Sequence, residues 1–332
     1  MPSVTKEQAK EFLNKISSKD NVLIIHHDDL DGFSSGVLFR EFVENKGAEV
    51  KNVIFTIGSS QENVIKQTKK SNKILIADLG PGTIPKILEA IKHKQVFYTD
   101  HHQIEKPIPK EILELRTIKE GYVPSSRTVY ELCAGKEWLA IAGTLSDAGH
   151  LHDANKEFIK NFLEKNKITQ KKYLEQVVFT INKMLVYFNQ RPKKALYKLL
   201  KLKQYTDAKA LKKFARPIEK EIQKYIKGYK DNHEQIGKIK FYYFDPKYPI
   251  KSTVTSQLGF MNKNDQFIFA TPDKDMIRLS ARSQNKNANM ITALKTGIKG
   301  LENATCGGHI PAAGGQIDKK DLKQFRENLK NY

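Results

Sequence analysis

Four short clusters of carboxylates and imidazoles follow one another in the first half of this 332-residue chain. They are His27-Asp28-Asp29-Leu30-Asp31-Gly32, Asp78 in Ile76-Ala77-Asp78-Leu79-Gly80, Asp100-His101-His102, and Asp147 in Gly143-Thr144-Leu145-Ser146-Asp147-Ala148-Gly149. Each stands directly after an apolar run. Asp29 and Asp31 lie two residues apart, and carboxylates that close repel one another unless cations sit between them. Adjacent histidines at a strand end rarely satisfy each other in a core. Singly, each cluster also has a plain reading, since an Asp-rich turn caps a helix and a lone Asp closes one. Together they form an oxygen-rich set with imidazoles and no thiolate, which suits Mn²⁺ or Mg²⁺ better than a structural zinc. Two divalent ions held this way are a device for breaking phosphate esters.

The elements around these clusters alternate. A helix is expected over 5–17, capped by Thr5, followed by a strand at 22–25 and a helical face at 36–43. The pattern then repeats as strand 50–55, helix 62–69, strand 73–77, helix 84–91 and strand 95–99, with helical stretches at 126–132 and 138–145. Strands alternating with helices at this spacing mean βαβ units and a parallel sheet covered on both faces. The clusters fall at the carboxyl ends of the strands, where open parallel sheets gather their ligands. From about residue 156 to 232 only helical patterns appear. A second β-rich region follows, with strands at 238–244, 266–270 and 277–281, a helix at 290–294, the Gly-rich run 306–315 and a closing helix at 320–330. The expected fold class is therefore α/β, a parallel-sheet domain joined through a helical connector to a smaller α/β domain.

With 39% hydrophobic residues, including 17 Phe and 13 Tyr, the chain can bury two cores. Mean hydropathy is −0.54, no apolar stretch approaches the length of a transmembrane helix, and the N-terminal Met1–Glu7 shows no signal-peptide pattern, so no membrane partner is expected. Cys133 and Cys306 form no paired motif, which places the protein in a reducing compartment, the cytoplasm. Lys and Arg number 57 against 37 Asp and Glu, giving a net charge of +20. Such a surface attracts polyanions, nucleic acid above all. Over 191–240 there are 16 Lys and Arg against 5 Asp and Glu, a net of +11. That stretch reads either as a solvated connector face or as a basic wall beside a substrate groove.

The order DxDG (Asp29, Asp31), D (Asp78), DHH (Asp100-His101-His102) and GTxxD (Asp147) resembles the four N-terminal motifs of the DHH family of phosphoesterases. The C-terminal half resembles the associated DHHA1 domain, with SxRS at Ser280-Ala281-Arg282-Ser283 and GGH at Gly307-Gly308-His309. These motifs run from about residue 21 to 318, and the texture is most similar to the archaeal RecJ-like nucleases. The resemblance implies a DHH domain at 1–190, a basic helical connector at 191–235 and a DHHA1 domain at 236–332, with the active site in the cleft between domains. It implies two metal ions, Mn²⁺ preferred and Mg²⁺ tolerated, with Asp78 bridging them. Asp29 would bind one ion, and Asp31, His101 and Asp147 the other. His102, with Asp100 beside it, would contact the scissile phosphate or protonate the leaving oxygen. Several family members carry a ligand His four residues before the first Asp, where this chain has Ile25, so His27 or His26 would have to substitute. Asp28 would face solvent or stand behind the ligands.

On the substrate side, Arg282 offers a bidentate fork for phosphate. Ser280 and Arg278 would accompany it, Gly307 and Gly308 would let a phosphate approach the backbone, and His309 would reach it. The expected activity is an exonuclease releasing mononucleotides from single-stranded DNA or RNA, with replication or repair proteins as partners. Two alternatives remain: a phosphatase or nanoRNase acting on very short substrates, which shares these motifs, and a non-catalytic replication scaffold resembling Cdc45, which uses the fold for protein contacts. The complete carboxylate set argues against the last.

Overall fold

The computed structural model describes residues 3–102, 107–117, 121–285 and 287–332. Met1 and Pro2 of the N-terminal segment read above lie outside them. The chain divides into two compact units, Met1–Ala215 and Arg216–Tyr332.

The first unit runs α1 (Lys6–Asn14), β1 (Asn21–His27), α2 (Leu30–Asn45), β2 (Glu49–Phe55), α3 (Gln61–Thr68), β3 (Lys73–Ala77), α4 (Pro85–Ile91), β4 (Gln95–Asp100) and β5 (Leu113–Arg116). Helices α5 (Ser125–Cys133), α6 (Glu137–Ser146), α7 (Asp153–Lys165) and α8 (Gln170–Tyr173) follow. A π-helical turn (Leu174–Val178) leads into α9 (Phe179–Tyr187) and α10 (Pro192–Leu200). The five strands are all parallel, in the order β2-β1-β3-β4-β5. The chain steps outward from β1 to β2 and then back across to β3, so the sheet's switch point lies between β1 and β3. That is where open parallel sheets leave a crevice at the strands' carboxyl ends.

Burial explains the strands' composition. All five residues of β3 are buried, as are the five central residues of β1, because helices cover both faces. One face packs Ile24, Leu75 and Phe97 against α1, α2 and α5; the other packs Leu23, Ile25, Ile74 and Ile76 against α3 and α4. Each such side chain contributes about 1.5–3 kcal/mol. Residues 138–145 of α6 are buried throughout, so it is a core helix rather than an amphipathic one. Thr5 caps α1 with a reciprocal Gln8 contact, as its position before the periodic run implied.

The boundary between the units falls inside α11 (Lys212–Asn232), within the stretch read above as a connector. The second unit continues with β6 (Glu234–Ile236), β7 (Ile239–Tyr243), α12 (Lys251–Met261), β8 (Gln266–Asp273), β9 (Met276–Ser283), α13 (Met290–Gly297), β10 (Thr305–His309), β11 (Ala312–Asp318) and α14 (Leu322–Leu329). Its six-stranded sheet has the order β10-β11-β9-β8-β7-β6 and is antiparallel except for β7 beside β8. Ile277, Leu279 and Ala281 alternate inward from β9 to pack with α13 and α14. Two elements depart from the sequence expectation. The Gly-rich run, given no element above, forms the β10–β11 hairpin, whose glycines carry no side-chain alternation to read. Helix α12, built from Lys, Ser, Thr and Gln with few apolar residues, gave no periodic signal. Among the described residues no helix is long and apolar enough to cross a membrane.

Candidate metal centre

The four clusters converge at the carboxyl end of the parallel sheet. His27 ends β1, and Asp29 caps α2, its Oδ1 accepting the Gly32 N–H at 2.9 Å. The helix-cap reading of the Asp-rich turn is thus correct for one oxygen. The other, Oδ2, lies 2.9 Å from His27 Nδ1, and Asp78 Oδ2 lies 3.7 Å from the same nitrogen. Asp78 follows β3 with φ of 61°, a left-handed conformation that residues other than glycine seldom adopt. Its N–H donates to Thr99 O across the ladder at 3.1 Å. Strain of this kind persists at functional sites because the surrounding structure holds it.

Asp31 is buried at the foot of α2. Its Oδ2 accepts the Ser125 N–H at 2.8 Å and its Oδ1 accepts the Ser126 N–H at 3.1 Å and the Ser126 hydroxyl. The N-terminus of α5, which favours negative charge, therefore holds this carboxylate. Gly143 makes the arrangement possible: a Cβ there would stand 2.4 Å from Ser126 Oγ and 3.0 Å from Asp31 Oδ1. His101, buried after β4, places Nδ1 3.9 Å from Asp31 and Nε2 3.2 Å from Asp147 Oδ2. Asp147 closes α6 and also accepts the Tyr122 hydroxyl. His102 stacks on His101 at 4.5 Å and donates Nδ1–H to Asp100 at 2.7 Å.

Three overlapping groups result, each with its ligand atoms within 4.8 Å of one another: His27, Asp29 and Asp78; Asp31, His101 and Asp147; and Asp78, His101 and His102. Asp78 and His101 each belong to two. Of the two histidines that could replace the one absent at Ile25, strand alternation selects one. His27 joins the cluster. His26 points the other way, wholly buried and edge-on to Phe33, with its pKa pushed down to about 4 by burial. Asp28 instead accepts the Thr56 hydroxyl at 2.6 Å.

The electrostatics ask for cations. Burial and the neighbouring Asp147 push the Asp31 carboxyl up to about 7, and burial with Asp29 and Asp31 nearby raises Asp78 well above the ordinary range. Burial opposes a charge on His101, but Asp147 and Asp31 prevail and raise it to about 9. Burial likewise opposes the Asp29 charge, yet His27 holds that carboxyl down at about 2. Asp78 Oδ2, His27 Nδ1 and both nitrogens of His101 are buried without a well-aligned hydrogen bond. Several of them stand close to carboxylate oxygens without bonding to them, as ligands around a shared ion do. With oxygen and imidazole donors and no sulfur, these residues fit Mn²⁺ or Mg²⁺.

Sequence reasoning missed Ser125, Ser126 and Tyr122, which buttress the carboxylates from distant positions. Only the run Pro124-Ser125-Ser126 ahead of a helix could have signalled an anion-holding N-terminus.

In the second unit the register aligns the other two motifs. Ala312 of β11 pairs with both Arg282 of β9 and His309 of β10, and Gly314 pairs with both Ser280 and Gly307. Two neighbouring rows across three strands thus carry Ser280, Arg282, Gly307 and His309 on one face. Nothing would obstruct a Cβ at Gly307, whereas at Gly308, with φ of 129°, it would meet Ala312 O at 2.6 Å. Gly308 is therefore required by the hairpin itself. Arg278 lies one row further on, bonded to Asp273 at 2.9 Å and to Gln316.

Among known proteins, residues 21–164 match the DHH family, N-terminal domain. The fold is shared with exonuclease RecJ bound to manganese (17% identity, 100% of this chain and 95% of that one, TM-score 0.74). It is shared also with RecJ in complex with Mn²⁺ from Thermus thermophilus (17% identity, TM-score 0.73), where this chain is covered completely but spans only 55% of the other. CDC45 from Entamoeba histolytica has the fold as well (11% identity, 98% of each chain, TM-score 0.62). No curated protein matches by sequence. The match over 21–164 holds all four carboxylate clusters, so this part of the chain is similar to the N-terminal domain of the DHH family.

Proposed function

We propose that this protein is a two-metal phosphodiesterase that removes mononucleotides from an end of single-stranded DNA or RNA, with Mn²⁺ preferred over Mg²⁺. The observation that carries the reading is the overlap of three ligand groups, with Asp78 common to two of them. His27 and Asp29 would hold one ion, Asp31, His101 and Asp147 the other, and Asp78 both. When bound, the ions would supply Lewis-acid activation of the ester and of water. The chain's own groups do the rest. Ser125, Ser126 and Tyr122 keep the carboxylates oriented. His102, half exposed and fastened through Nδ1 to Asp100, presents its other nitrogen to a phosphate oxygen or to the leaving oxygen.

On this reading Arg282, Ser280, Gly307 and His309 grip the substrate phosphate. Arg278 contributes charge while anchored to Asp273, and Gly308 shapes the hairpin. The net charge of +20 supports a polyanionic substrate, with replication or repair proteins as the class of partner. The test is Mn²⁺-dependent digestion of 5′- and 3′-labelled DNA and RNA strands of graded length. Stepwise release of mononucleotides from strands of ten or more residues is expected. Cleavage confined to dimers and trimers would replace the reading with a short-substrate phosphatase. A chain that binds Mn²⁺ and cleaves no phosphate ester would point to a scaffold.

A further inference from the structure

The edge strand β5 ends in a residue that the metal cluster does not use. Arg116 pairs in register with Asp100 on the neighbouring strand. Its guanidinium side chain is only 4% exposed. Nη1 donates to the His102 carbonyl at 2.9 Å and stands 3.7 Å from Asp100 Oδ2, while Nε meets Glu114 and the group lies over the Tyr98 ring at 5.8 Å. Asp100 in turn accepts His102 Nδ1–H on its Oδ1 at 2.7 Å, and its Oδ2 is buried with no hydrogen bond. His102 is thus held twice, by its carbonyl and by its ring, and both holds lead to one cation.

We propose that Arg116 is a positioning residue for His102, acting through Asp100 and through the His102 carbonyl to fix the ring with Nδ1–H turned inward. Nε2 is then the nitrogen left to face a phosphate oxygen or a leaving oxygen. A carboxylate that orients an imidazole selects its tautomer and its ring angle together. Arg suits this place because one planar group fixes two directions, Nε toward Glu114 and Nη1 toward the His102 carbonyl. A merely structural Arg would close the sheet edge through Glu114 and leave the ring indifferent. The inference rests on the reading of His102 given under the proposed function, and one arm of its test does not.

The first arm uses the metal-free chain and no substrate. Imidazole ¹⁵N NMR at fixed pH should show His102 with its proton on Nδ1. The charge-balanced pair Arg116→Met, Glu114→Gln should convert it to a mixture of tautomers while circular dichroism stays that of the parent. The second arm measures turnover with Mn²⁺. In the same variant kcat should fall about tenfold or more, the scale of losing an outer orienting group, with KM and Mn²⁺ affinity within about twofold. In a His102→Gln background the same change should cost nothing further. If the pair fails to fold, Arg116→Lys replaces it, with an intermediate loss of kcat and the same non-additivity expected. An unchanged His102 tautomer in a folded variant, or losses that multiply with His102→Gln, would overturn the proposal. If the chain cleaves no nucleic acid, the proposed function fails by itself and the tautomer decides the positioning role.

Discussion

The two units carry mirror-image electrostatic problems. In the first, Asp29, Asp31, Asp78 and Asp147 crowd a buried crevice, and burial with their mutual repulsion raises Asp31 and Asp78. In the second, α12 brings Lys251 to the face of β9 that bears Arg278 and Arg282. Lys251 Nζ donates to Leu279 O at 3.1 Å, and burial with those two arginines pushes its pKa down to about 8. Among the described residues neither Lys251 nor Arg282 forms an ion pair. One region is over-supplied with negative charge and the other with positive. On the proposed function, divalent cations would relieve the first and an anion the second.

Removing charge from the first region should have the largest effect. Asp78→Asn keeps the size and tolerates the left-handed backbone, yet should lower turnover by about 10³-fold, the scale of deleting one preorganised catalytic charge. Its metal-free thermal stability should hold or rise, because a repelled carboxylate is gone. Turnover within tenfold of the parent would remove Asp78 from its place as the bridge. Removing charge from the second region should act on grip instead. Arg282→Met should raise KM by about 30–100-fold, equivalent to about 2–3 kcal/mol for hydrogen bonds to a charged group, with Mn²⁺ affinity by calorimetry unchanged. Lost Mn²⁺ affinity would break the division of labour.

A third effect is a dependence on pH. Asp31 and Asp78 have folded pKa values above their unfolded values near about 4. The stability they contribute is present below that pH and lost as pH rises, through about 7 for Asp31. His101, held at about 9, contributes stability that is lost as pH climbs through that value. Both slopes have the same sign, so the metal-free protein should melt lower at pH 9 than at pH 5. Saturating Mn²⁺ should add about 2.7 kcal/mol at a hundred times its dissociation constant and narrow the gap. A metal-free melting temperature that rises with pH would mean the carboxylates are relieved without ions.

The smallest effect concerns the exposed Lys212, Lys213 and Lys220. Changing all three to Glu should flatten the salt dependence of long-strand affinity by up to about 2 in slope, at about 0.7 per phosphate. Dinucleotide cleavage should be unaffected. An unchanged slope would mark those lysines as a solvated face.

The strand-and-helix alternation of 21–100 was legible because its signals are local. A β-branched run such as 22–25 needs only its own residues to declare a buried strand, and Thr5 only its neighbours to declare a cap. Strand β5 was not legible: Leu113-Glu114-Leu115-Arg116 is four residues long and lies on the sheet edge, where partial exposure erases the apolar run. The β10 and β11 strands were hidden by glycines, whose strand geometry comes from the β9 ladder and not from side-chain preference.

The candidate ligand types and their order along the chain were written in the sequence, because Asp29, Asp78 and His101 follow strand ends, a local address, while Asp31 opens the helix after one and Asp147 closes an apolar helical run. Tertiary structure alone decided the rest. The pleat of β1 chose His27 over His26, since adjacent residues on a strand face opposite ways. Packing of α5 brought Ser125 and Ser126 to Asp31 from 94 and 95 residues away. The β4–β5 ladder set Arg116 behind Asp100, and β11 aligned Arg282 with His309. Such partners are fixed by contacts between remote segments, and no spacing within the chain records them.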